Sequence, residues 1–412
     1  MTARSEVAIV GGGIAGLTLA LALDEVGISC RVYEAARRFG EVGVGINVLP
    51  HAGRVLAGLG LQPALEAVAV QTQEAAYYNR FGQEIYTEPL GVAAGHRWPQ
   101  FSIHRGDLHE VLANAVRDRL GADAVLLGHR CVGVHQDQRA AYLDLVSHDG
   151  RSHGSEEAGL VVGCDGIHSV VRRFLHAGEG APRYSGVHMW RGVTVAEPFL
   201  SGATMLRAGW LATGKLVAYP IRNDVDAQGR QLINWVVEVE QDRPQERDWN
   251  REGDVADFLP HFEDWIFPWL DVPALFRGSE VVLEYPMVDQ DPLDHWTSGR
   301  VTLMGDAAHP MVPRGSNGAG QAILDARCLA DCLVRTDPQD AVHAYEAQRR
   351  PATAKVVEMN RRDPPDAILR EVYERTGDRP FDDVEEVLTA EEARRFTQRY
   401  ASVAGYDLDT TG

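Results

Sequence analysis

The fold of this chain is decided by the stretch VAIVGGGIAGL, residues 7–17. Its first four residues form a short apolar run that predicts a buried strand, and the apolar residues that continue to Leu23 predict a helix. Gly11, Gly13 and Gly16 therefore stand in the spacing Gly-x-Gly-x-x-Gly at a strand-to-helix turn. This pattern is typical of a dinucleotide-binding βαβ unit, in which the helix N-terminus meets a pyrophosphate.

A second strand and an acidic residue follow the glycines. The run CRVY, residues 30–33, predicts the strand, which ends at Glu34. A carboxylate at this point, about 20 residues beyond the glycines, suits the two hydroxyl groups of an adenosine ribose. The glycine spacing alone is weak evidence, but strand, glycines, helix and acid together indicate a dinucleotide site.

Composition limits the remaining possibilities. The chain has 412 residues, of which 45% are apolar and 24% charged, so it can bury the core of two joined domains. A formal charge of −19 disfavours nucleic acid and anionic membranes as partners. No apolar run is long enough to span a membrane, and the first strand begins so early that we expect no signal peptide. The five cysteines show no pairing pattern, which favours buried thiols in a cytoplasmic protein.

The middle of the chain changes character. Residues 181–290 contain several short strand-like runs and many aromatic residues, which predict a mostly antiparallel sheet. Nucleotide-domain signals lie on both sides of it, so we expect an interdomain cleft. The predicted divisions are nucleotide-domain segments at 1–75, 101–180 and 291–362, substrate-domain segments at 76–100 and 181–290, and a C-terminal helical tail at 363–412. That tail is either a covering helix or an interaction tail.

Three predicted strands end in an acidic residue next to a turn. These ends are Tyr33-Glu34, Cys164-Asp165-Gly166 and Gly305-Asp306. Ligands of open parallel sheets bind beyond the carboxyl ends of the strands, so three such ends can line one long cofactor. A single Gly-Asp pair is more often only a turn.

These segments resemble the motifs of single-component (group A) flavin-dependent aromatic hydroxylases, which include para-hydroxybenzoate and salicylate hydroxylases. The resemblance covers about residues 5–360. It rests on the opening glycines with Glu34, GCDGIHSVVR at 163–172, GDAAHP at 305–310 and GAGQAILDA at 318–326. Within the family, the chain is most similar to phenazine-carboxylate hydroxylases. That likeness is carried by GVGIN at 43–47, SIHRG at 102–106, MWRGV at 189–193, YPMVD at 285–289 and NGA at 317–319.

The resemblance implies an α/β fold with a doubly wound, Rossmann-like FAD-binding domain, an inserted antiparallel substrate sheet and C-terminal helices. It implies that FAD lies extended, with adenine near one strand edge and the flavin pyrimidine ring at a helix start. The cofactor-binding residues that it implies are Gly11, Gly13, Ile14, Ala15, Gly16, Glu34, Arg105, Val132, Asp165, Asp306, Gly318 and Ala319.

The resemblance also implies the reaction. NADH or NADPH reduces FAD, O₂ adds to form a C4a-hydroperoxyflavin, and one oxygen atom passes to an aromatic or heteroaromatic acid. A phenazine- or salicylate-like substrate is implied, with or without loss of its carboxylate. The chain has no second Gly-x-Gly-x-x-Gly, so NAD(P)H would bind transiently on the FAD domain. His168 and Arg172 serve either that co-substrate or the structure. We expect no metal, and a monomer or homodimer.

The substrate pocket is predicted mainly from Arg191 and Tyr219. An arginine inside a strand needs a partner, which could be a substrate carboxylate, the flavin edge or an internal acid. Further pocket candidates are Trp190, Pro220, Trp235, Tyr285, Met311, Pro313 and Arg314, and candidate bases are His104, His188 and His309. An electron-rich substrate needs no base.

Other functions are less well supported by the motifs. A flavin oxidase or dehydrogenase without oxygen insertion shares the first βαβ unit, and a non-catalytic relative that binds an aromatic ligand shares more. A flavin halogenase is disfavoured because the chain lacks Trp-x-Trp-x-Ile-Pro.

Overall fold

The computed structural model describes residues 5–40, 43–241 and 251–408. Glu41 and Val42, which belong to the predicted glycine-rich loop, lie outside the described residues. No helix in the described ranges has the length and apolar character needed to cross a membrane.

The elements follow one another along the whole chain. The strands are β1 (Ser5–Val10), β2 (Cys30–Glu34), β3 (Gly45–Val48), β4 (Val70–Thr72), β5 (Glu74–Tyr78), β6 (Glu84–Pro89), β7 (Gln100–His104), β8 (Val125–Leu127), β9 (Arg130–Gln136), β10 (Ala141–Val146), β11 (Ser152–Gly163), β12 (Arg183–Ala196), β13 (Thr204–Trp210), β14 (Gly214–Arg222), β15 (Gln231–Glu240), β16 (Arg251–Glu252), β17 (Ile266–Phe267), β18 (Leu270–Asp271), β19 (Val282–Asp289), β20 (Thr297–Ser298) and β21 (Val301–Leu303). The helices are α1 (Ile14–Glu25), α2 (Pro50–Gly58), α3 (Gln62–Glu66), α4 (Arg105–Leu120), α5 (Val170–Leu175), α6 (Val272–Arg277), α7 (Gly318–Arg335), α8 (Pro338–Arg362), α9 (Ala367–Thr376), α10 (Val384–Val387) and α11 (Ala390–Ala404).

The nucleotide domain is built on a sheet with the order β20-β21-β11-β1-β2-β8. Strands β21, β11, β1, β2 and β8 run parallel, and β9 and β10 extend the sheet as antiparallel partners beside β11. Helix α1 packs against α4 and α7, and its Leu17, Leu19, Leu21 and Leu23 are fully buried. A helix that is apolar on every side needs cover on every side, which these neighbours supply.

The substrate domain is a second sheet with the order β16-β19-β12-β15-β14-β13-β5-β6. Its pairs are antiparallel except for β13 with β5. One face packs on an aromatic core that includes Trp190, Trp235, Phe258 and Phe262. The other face is turned toward the small sheet β3-β7-β4 and the C-terminal helices, because β14 contacts β7 and β13 contacts α9. The expected fold class is thus confirmed.

The C-terminal residues cover this second face. Ile368, Leu369 and Val372 of α9 share a buried cluster with Tyr77 of β5. Helix α11 packs against α8, and Gln321 at the start of α7 donates from Nε2 to the Ala404 carbonyl at 3.1 Å. Of the two alternatives for the tail, the structure therefore supports a covering role.

Candidate active site

The glycine turn after β1 leaves room for a phosphate group. The Gly11 amide donates to the Tyr33 carbonyl at 2.8 Å, which ties the turn to β2. A Cβ at Gly16 would overlap the Gly11 carbonyl oxygen, so only glycine permits this packing of α1. No atom lies within 4 Å of the place where a Cβ on Gly13 would stand. The backbone at Gly13 thus faces open space at the positive end of α1, where Ile14 and Ala15 form the first turn, and this arrangement fits a pyrophosphate.

Glu34 lies directly beside this turn. Its Oε2 accepts from the Gly12 amide at 2.7 Å, and its Oε1 accepts from the Ala36 amide at 2.7 Å. Val132 on β9 is 47% exposed, and Leu127, which lies opposite Glu34 in the β2–β8 register, is 37% exposed. Exposed apolar side chains on the strands next to the predicted ribose-binding acid would suit an adenine ring. The sequence analysis missed Leu127.

The second strand-end motif touches the first. A Cβ on Gly11 would overlap the Cys164 carbonyl oxygen and lie 3.0 Å from Asp165 Cα. The Asp165 carboxylate is turned toward α5, because Oδ2 accepts from the Val170 amide at 2.6 Å, and burial raises its pKa. Asp165 therefore caps α5, and its predicted place beside FAD would depend on its backbone.

Arg172 connects the second motif with the third. Its side chain is 3% exposed, and Nη1 donates to the carbonyl oxygens of Ala307 and Ala308 at 2.8 and 3.1 Å. Its Nε donates to Glu179 at 2.6 Å. These contacts favour the structural alternative for Arg172. His168, in contrast, is exposed.

The third motif, Gly305-Asp306, lies against both the first motif and the start of α7. We call residues 311–320, which lead into α7, the flavin loop. A Cβ on Gly305 would lie 3.1 Å from Ala15 Cβ and 3.2 Å from Ala322 Cβ. The exposed Asp306 carboxylate has Oδ1 3.9 Å from the Cβ position of Gly318, at the start of α7. Residues about 290 positions apart in the sequence thus come together. We call the surface between Gly13, Asp306 and Gly318 the groove. Asp306 presents acceptors to it, and the first turn of α7 presents the N–H groups of Gly318 and Ala319.

A buried ion cluster fixes the third motif in place. Asp325 accepts from the Gly305 amide at 3.2 Å, from His309 Nε2 at 2.6 Å and from Arg349 Nε at 2.6 Å. Burial alone would raise the pKa of Asp325, but His309 and Arg349 outweigh it and lower that pKa. His309 is thus engaged inside the protein rather than placed as a base.

The flavin loop rests on a neutral histidine. His51 on α2 is 1% exposed, and its Nε2 lies 3.1 Å from Asn317 Oδ1. Burial lowers the pKa of His51 to about 3, so its imidazole is neutral and Nε2 donates to the amide oxygen. A Cβ on Gly320 would lie 2.8 Å from that same oxygen. No sequence motif pointed to His51.

Arg191 enters the groove from the substrate sheet. Its Nη2 donates to the Gly45 carbonyl at 2.7 Å, while its buried Nε finds no hydrogen-bond partner among the described residues. Burial lowers the pKa of Arg191, and the titratable side chains that act on it are Tyr219, Tyr285 and Arg105, with no carboxylate among these three. Its internal partner is therefore a main-chain carbonyl and not an acid. The place left open at Nε suits a substrate carboxylate or the cofactor.

Arg191 has Tyr219 as a neighbour on the same face of the sheet. Burial raises the pKa of Tyr219, which also forms a hydrogen bond with Asn47. Tyr219 is therefore a phenol at neutral pH and acts as a hydrogen-bond donor. Of the candidates just before α7, Pro313 is exposed, and Met311 is partly exposed and packs against the buried cluster of Val356, Tyr400 and Ala404.

Three pocket predictions were wrong. Trp190 and Trp235 belong to the aromatic core on the opposite face of the sheet, where Trp235 Nε1 donates to Thr194 Oγ1 at 3.1 Å. Pro220 is adjacent to Tyr219 in β14, so it also points away from the groove. The same alternation places His188 on the far face, 2.6 Å from Glu284. The remaining candidate base, His104, has Nδ1 3.8 Å from Asp107 Oδ1.

A cluster of charged residues that are buried or nearly so also lies on this side of the substrate sheet, and only Arg314 among them was predicted from the sequence. Its members are Arg207, Lys215, Glu238, Arg314 and Asp366. Lys215 Nζ lies 3.0 Å from Glu238 Oε1 and contacts Asp366, and Arg314 Nε lies 3.8 Å from Glu238 Oε2. One feature of the sequence could have revealed this cluster, namely charged residues at alternate positions of strands that are otherwise apolar.

Comparisons with known proteins agree with this geometry. The family model described as an FAD binding domain matches residues 4–254 and 282–360. The chain is 45% identical to a phenazine 1,6-dicarboxylic acid hydroxylase of Lysobacter antibioticus, over 87% of this chain and 89% of the relative. It is 37% identical to a 3-amino-4-hydroxybenzoate 2-monooxygenase of Streptomyces cremeus, over 87% of this chain and 86% of the relative. The fold resembles Klebsiella pneumoniae HpxO complexed with FAD and uric acid, with a TM-score of 0.78, 23% identity, and coverage of 98% and 97% of the two chains.

Proposed function

The chain belongs to the family defined by this FAD-binding domain and is an FAD-dependent aromatic monooxygenase; we propose that its substrate is a fused-ring, phenazine-like aromatic carboxylic acid. Two of its relatives are named for the hydroxylation of aromatic acids that carry nitrogen, one in the ring system and one as an amino group. The expected resemblance to flavin-dependent aromatic hydroxylases is confirmed.

The observation that carries the proposal is the convergence of the three strand-end motifs and the flavin loop on one groove. Gly13 offers open backbone for a pyrophosphate, Glu34 lies at the ribose end, and Asp306 faces the start of α7. When bound, FAD supplies hydride acceptance and the activation of O₂. The protein holds and orients the cofactor and keeps water from the reacting ring.

The flavin end of the groove is electrostatically suited to an anion. In our proposal the N–H groups of Gly318 and Ala319 hold the pyrimidine edge, where the dipole of α7 stabilises negative charge. Asp306 accepts from the ribityl hydroxyls, and Arg105 reaches the phosphate and ribityl region. None of these side-chain roles needs a metal.

Substrate orientation falls to Arg191 and Tyr219. A guanidinium with an open N–H binds a carboxylate strongly at a buried site. Tyr219 donates a hydrogen bond to the ring or its substituent and does not act as a base, because burial favours its neutral form.

NADH or NADPH acts as the reductant in this proposal and docks transiently beside the FAD groove. We infer such docking because the chain has one Gly-x-Gly-x-x-Gly segment and that segment is assigned to FAD. We infer that the active unit is a monomer or a homodimer.

The decisive experiment incubates the FAD-loaded protein with NADH or NADPH and a panel of aromatic acids. We expect phenazine carboxylates to accelerate pyridine-nucleotide oxidation and to gain one oxygen atom in the product. Stoichiometric hydrogen peroxide without an oxygenated product would favour an oxidase. Tight ligand binding without turnover would favour a non-catalytic binding protein.

A further inference from the structure

Two buried arginines lie in one row of the substrate sheet. In the strand register, Arg191 of β12 pairs with Val236 of β15, Val236 pairs with Val217 of β14, and Val217 pairs with Arg207 of β13. Directly paired residues of antiparallel strands project from the same face. The four side chains therefore form a line across the face toward the groove. The two arginine Cα atoms lie about 14 Å apart, since three strand spacings separate them.

The centre of this row is less covered than its surroundings. Val217 and Val236 are both partly exposed, although this face of the sheet is covered by the small sheet and the C-terminal helices. Their neighbours on the same face, Met189, Lys215 and Tyr219, are at most 5% exposed. The two valines thus form an apolar floor that a flat ring can cover, with one guanidinium at each end.

Each of the two guanidinium groups forms few hydrogen bonds with the described residues. Among the described residues, neither is paired with a carboxylate. Arg191 uses Nη2 on the Gly45 carbonyl and leaves Nε open. Arg207 is 7% exposed, and its hydrogen bond to a described residue is a long one, 3.5 Å from Nη1 to the Tyr77 hydroxyl oxygen.

The acids near Arg207 also have other partners. Asp366 contacts Lys215, and the charges of Lys215, Arg314 and Arg207 together lower the pKa of Asp366 against the effect of burial. Glu88 accepts from the Tyr77 hydroxyl at 3.2 Å, and burial raises the pKa of Glu88, which favours its neutral form. A buried guanidinium whose neighbouring acids are shared in this way can accept a further anion.

We propose that the row Arg191–Val236–Val217–Arg207 selects a flat, fused-ring aromatic dianion whose two carboxylates lie at opposite ends of the ring system. The ring covers the two valines, one carboxylate binds Arg191, and the other binds Arg207. This inference rests on the proposed function, since it specifies the substrate of the same site. Arg207 is then a residue that determines specificity.

The test is equilibrium binding to the FAD-loaded protein without NAD(P)H, followed by the change in flavin absorbance. The probes are phenazine-1,6-dicarboxylate and phenazine-1-carboxylate. We expect the dicarboxylate to bind at least about tenfold more tightly, because one more charge-assisted interaction forms. In Arg207→Gln, the dicarboxylate should lose about tenfold in affinity and the monocarboxylate less than about threefold.

Arg151→Gln is the matched control, because Arg151 is an exposed arginine in a turn of the nucleotide domain. It should change neither affinity, and Arg207→Lys should fall between the wild type and Arg207→Gln. Equal binding of the two probes to the wild-type protein, or an equal loss for both in Arg207→Gln, overturns the inference. The difference in affinity between the two probes on the wild-type protein tests the inference even if Arg207→Gln does not fold. Failure of the proposed function is seen separately, as absence of turnover with every probe.

Discussion

Among single residues, we propose that the carboxylate of Asp306 contributes most to cofactor retention. It is exposed, and its Oδ1 faces the position of Gly318 across the groove. We predict that Asp306→Ala lowers FAD affinity by about 10- to 100-fold, since a hydrogen bond to a charged acceptor contributes about 1.5–3 kcal/mol. Flavin content of the purified protein and titration of the apoprotein with FAD measure this loss.

Glu263→Ala serves as the control for Asp306→Ala, because Glu263 is an exposed acid of the substrate domain. It should retain the wild-type flavin content. A normal flavin content in Asp306→Ala would remove Asp306 from the cofactor site.

Arg191 tests the substrate end of the groove. Arg191→Ala removes the donor whose Nε is open, so KM for the aromatic acid should rise by about tenfold or more while FAD stays bound. Steady-state oxidation of NAD(P)H at varied substrate concentration, together with the flavin spectrum, separates the two effects. Unchanged kinetics would mean that Arg191 serves only to hold the Gly45 carbonyl.

His51 should make stability depend on pH. Its folded pKa of about 3 lies below the ordinary value of 6.5, so the unfolded chain binds a proton first as pH falls. Its contribution is complete above pH 6.5 and is lost progressively toward pH 3. Between pH 7 and pH 5 the wild type should lose about 2 kcal/mol more than His51→Gln, as measured by denaturant unfolding. His148→Gln, at an exposed histidine, should keep the wild-type pH dependence.

At the scale of elements, the turn from β1 to α1 separates folding from cofactor binding. Gly13→Ala should leave the unfolding free energy of the apoprotein within about 0.5 kcal/mol of wild type, because open space surrounds that Cβ. It should nevertheless weaken FAD binding, since the methyl group would stand where the pyrophosphate approaches. Thermal unfolding of the apoprotein and FAD titration measure the two quantities.

Gly16→Ala is the matched comparison within the same turn. Its Cβ would overlap the Gly11 carbonyl oxygen, so this variant should be strongly destabilised even without FAD. Equal stability of the two variants would contradict the assigned packing of α1 on β1.

The substrate sheet shows where prediction from sequence stops. The strand runs in residues 181–290 and the antiparallel arrangement were predictable from apolar and aromatic patterning. The face of the sheet on which each side chain lies was not predictable, because both faces are buried and both contain aromatic and charged residues. Arg191 and Trp190 are adjacent in sequence, yet one faces the groove and the other the aromatic core.

At the scale of the whole molecule, the cofactor groove was the most predictable feature. Its motifs are turns at strand ends, and the geometry of a parallel sheet brings such ends together whatever their separation in sequence. The row from Arg191 to Arg207 was not predictable, since it depends on the register of four strands. His51 and Asp325 were missed for a related reason, because their partners come from distant segments and no local spacing marks them.

Oxygen insertion into an aromatic acid is measured by the mass of the product that forms under labelled oxygen. The FAD-loaded protein is supplied with NADH or NADPH, phenazine-1-carboxylate or phenazine-1,6-dicarboxylate, and ¹⁸O₂. We predict a hydroxylated product that carries one ¹⁸O atom. Pyridine-nucleotide oxidation that yields hydrogen peroxide and returns both phenazine acids unlabelled would contradict the account.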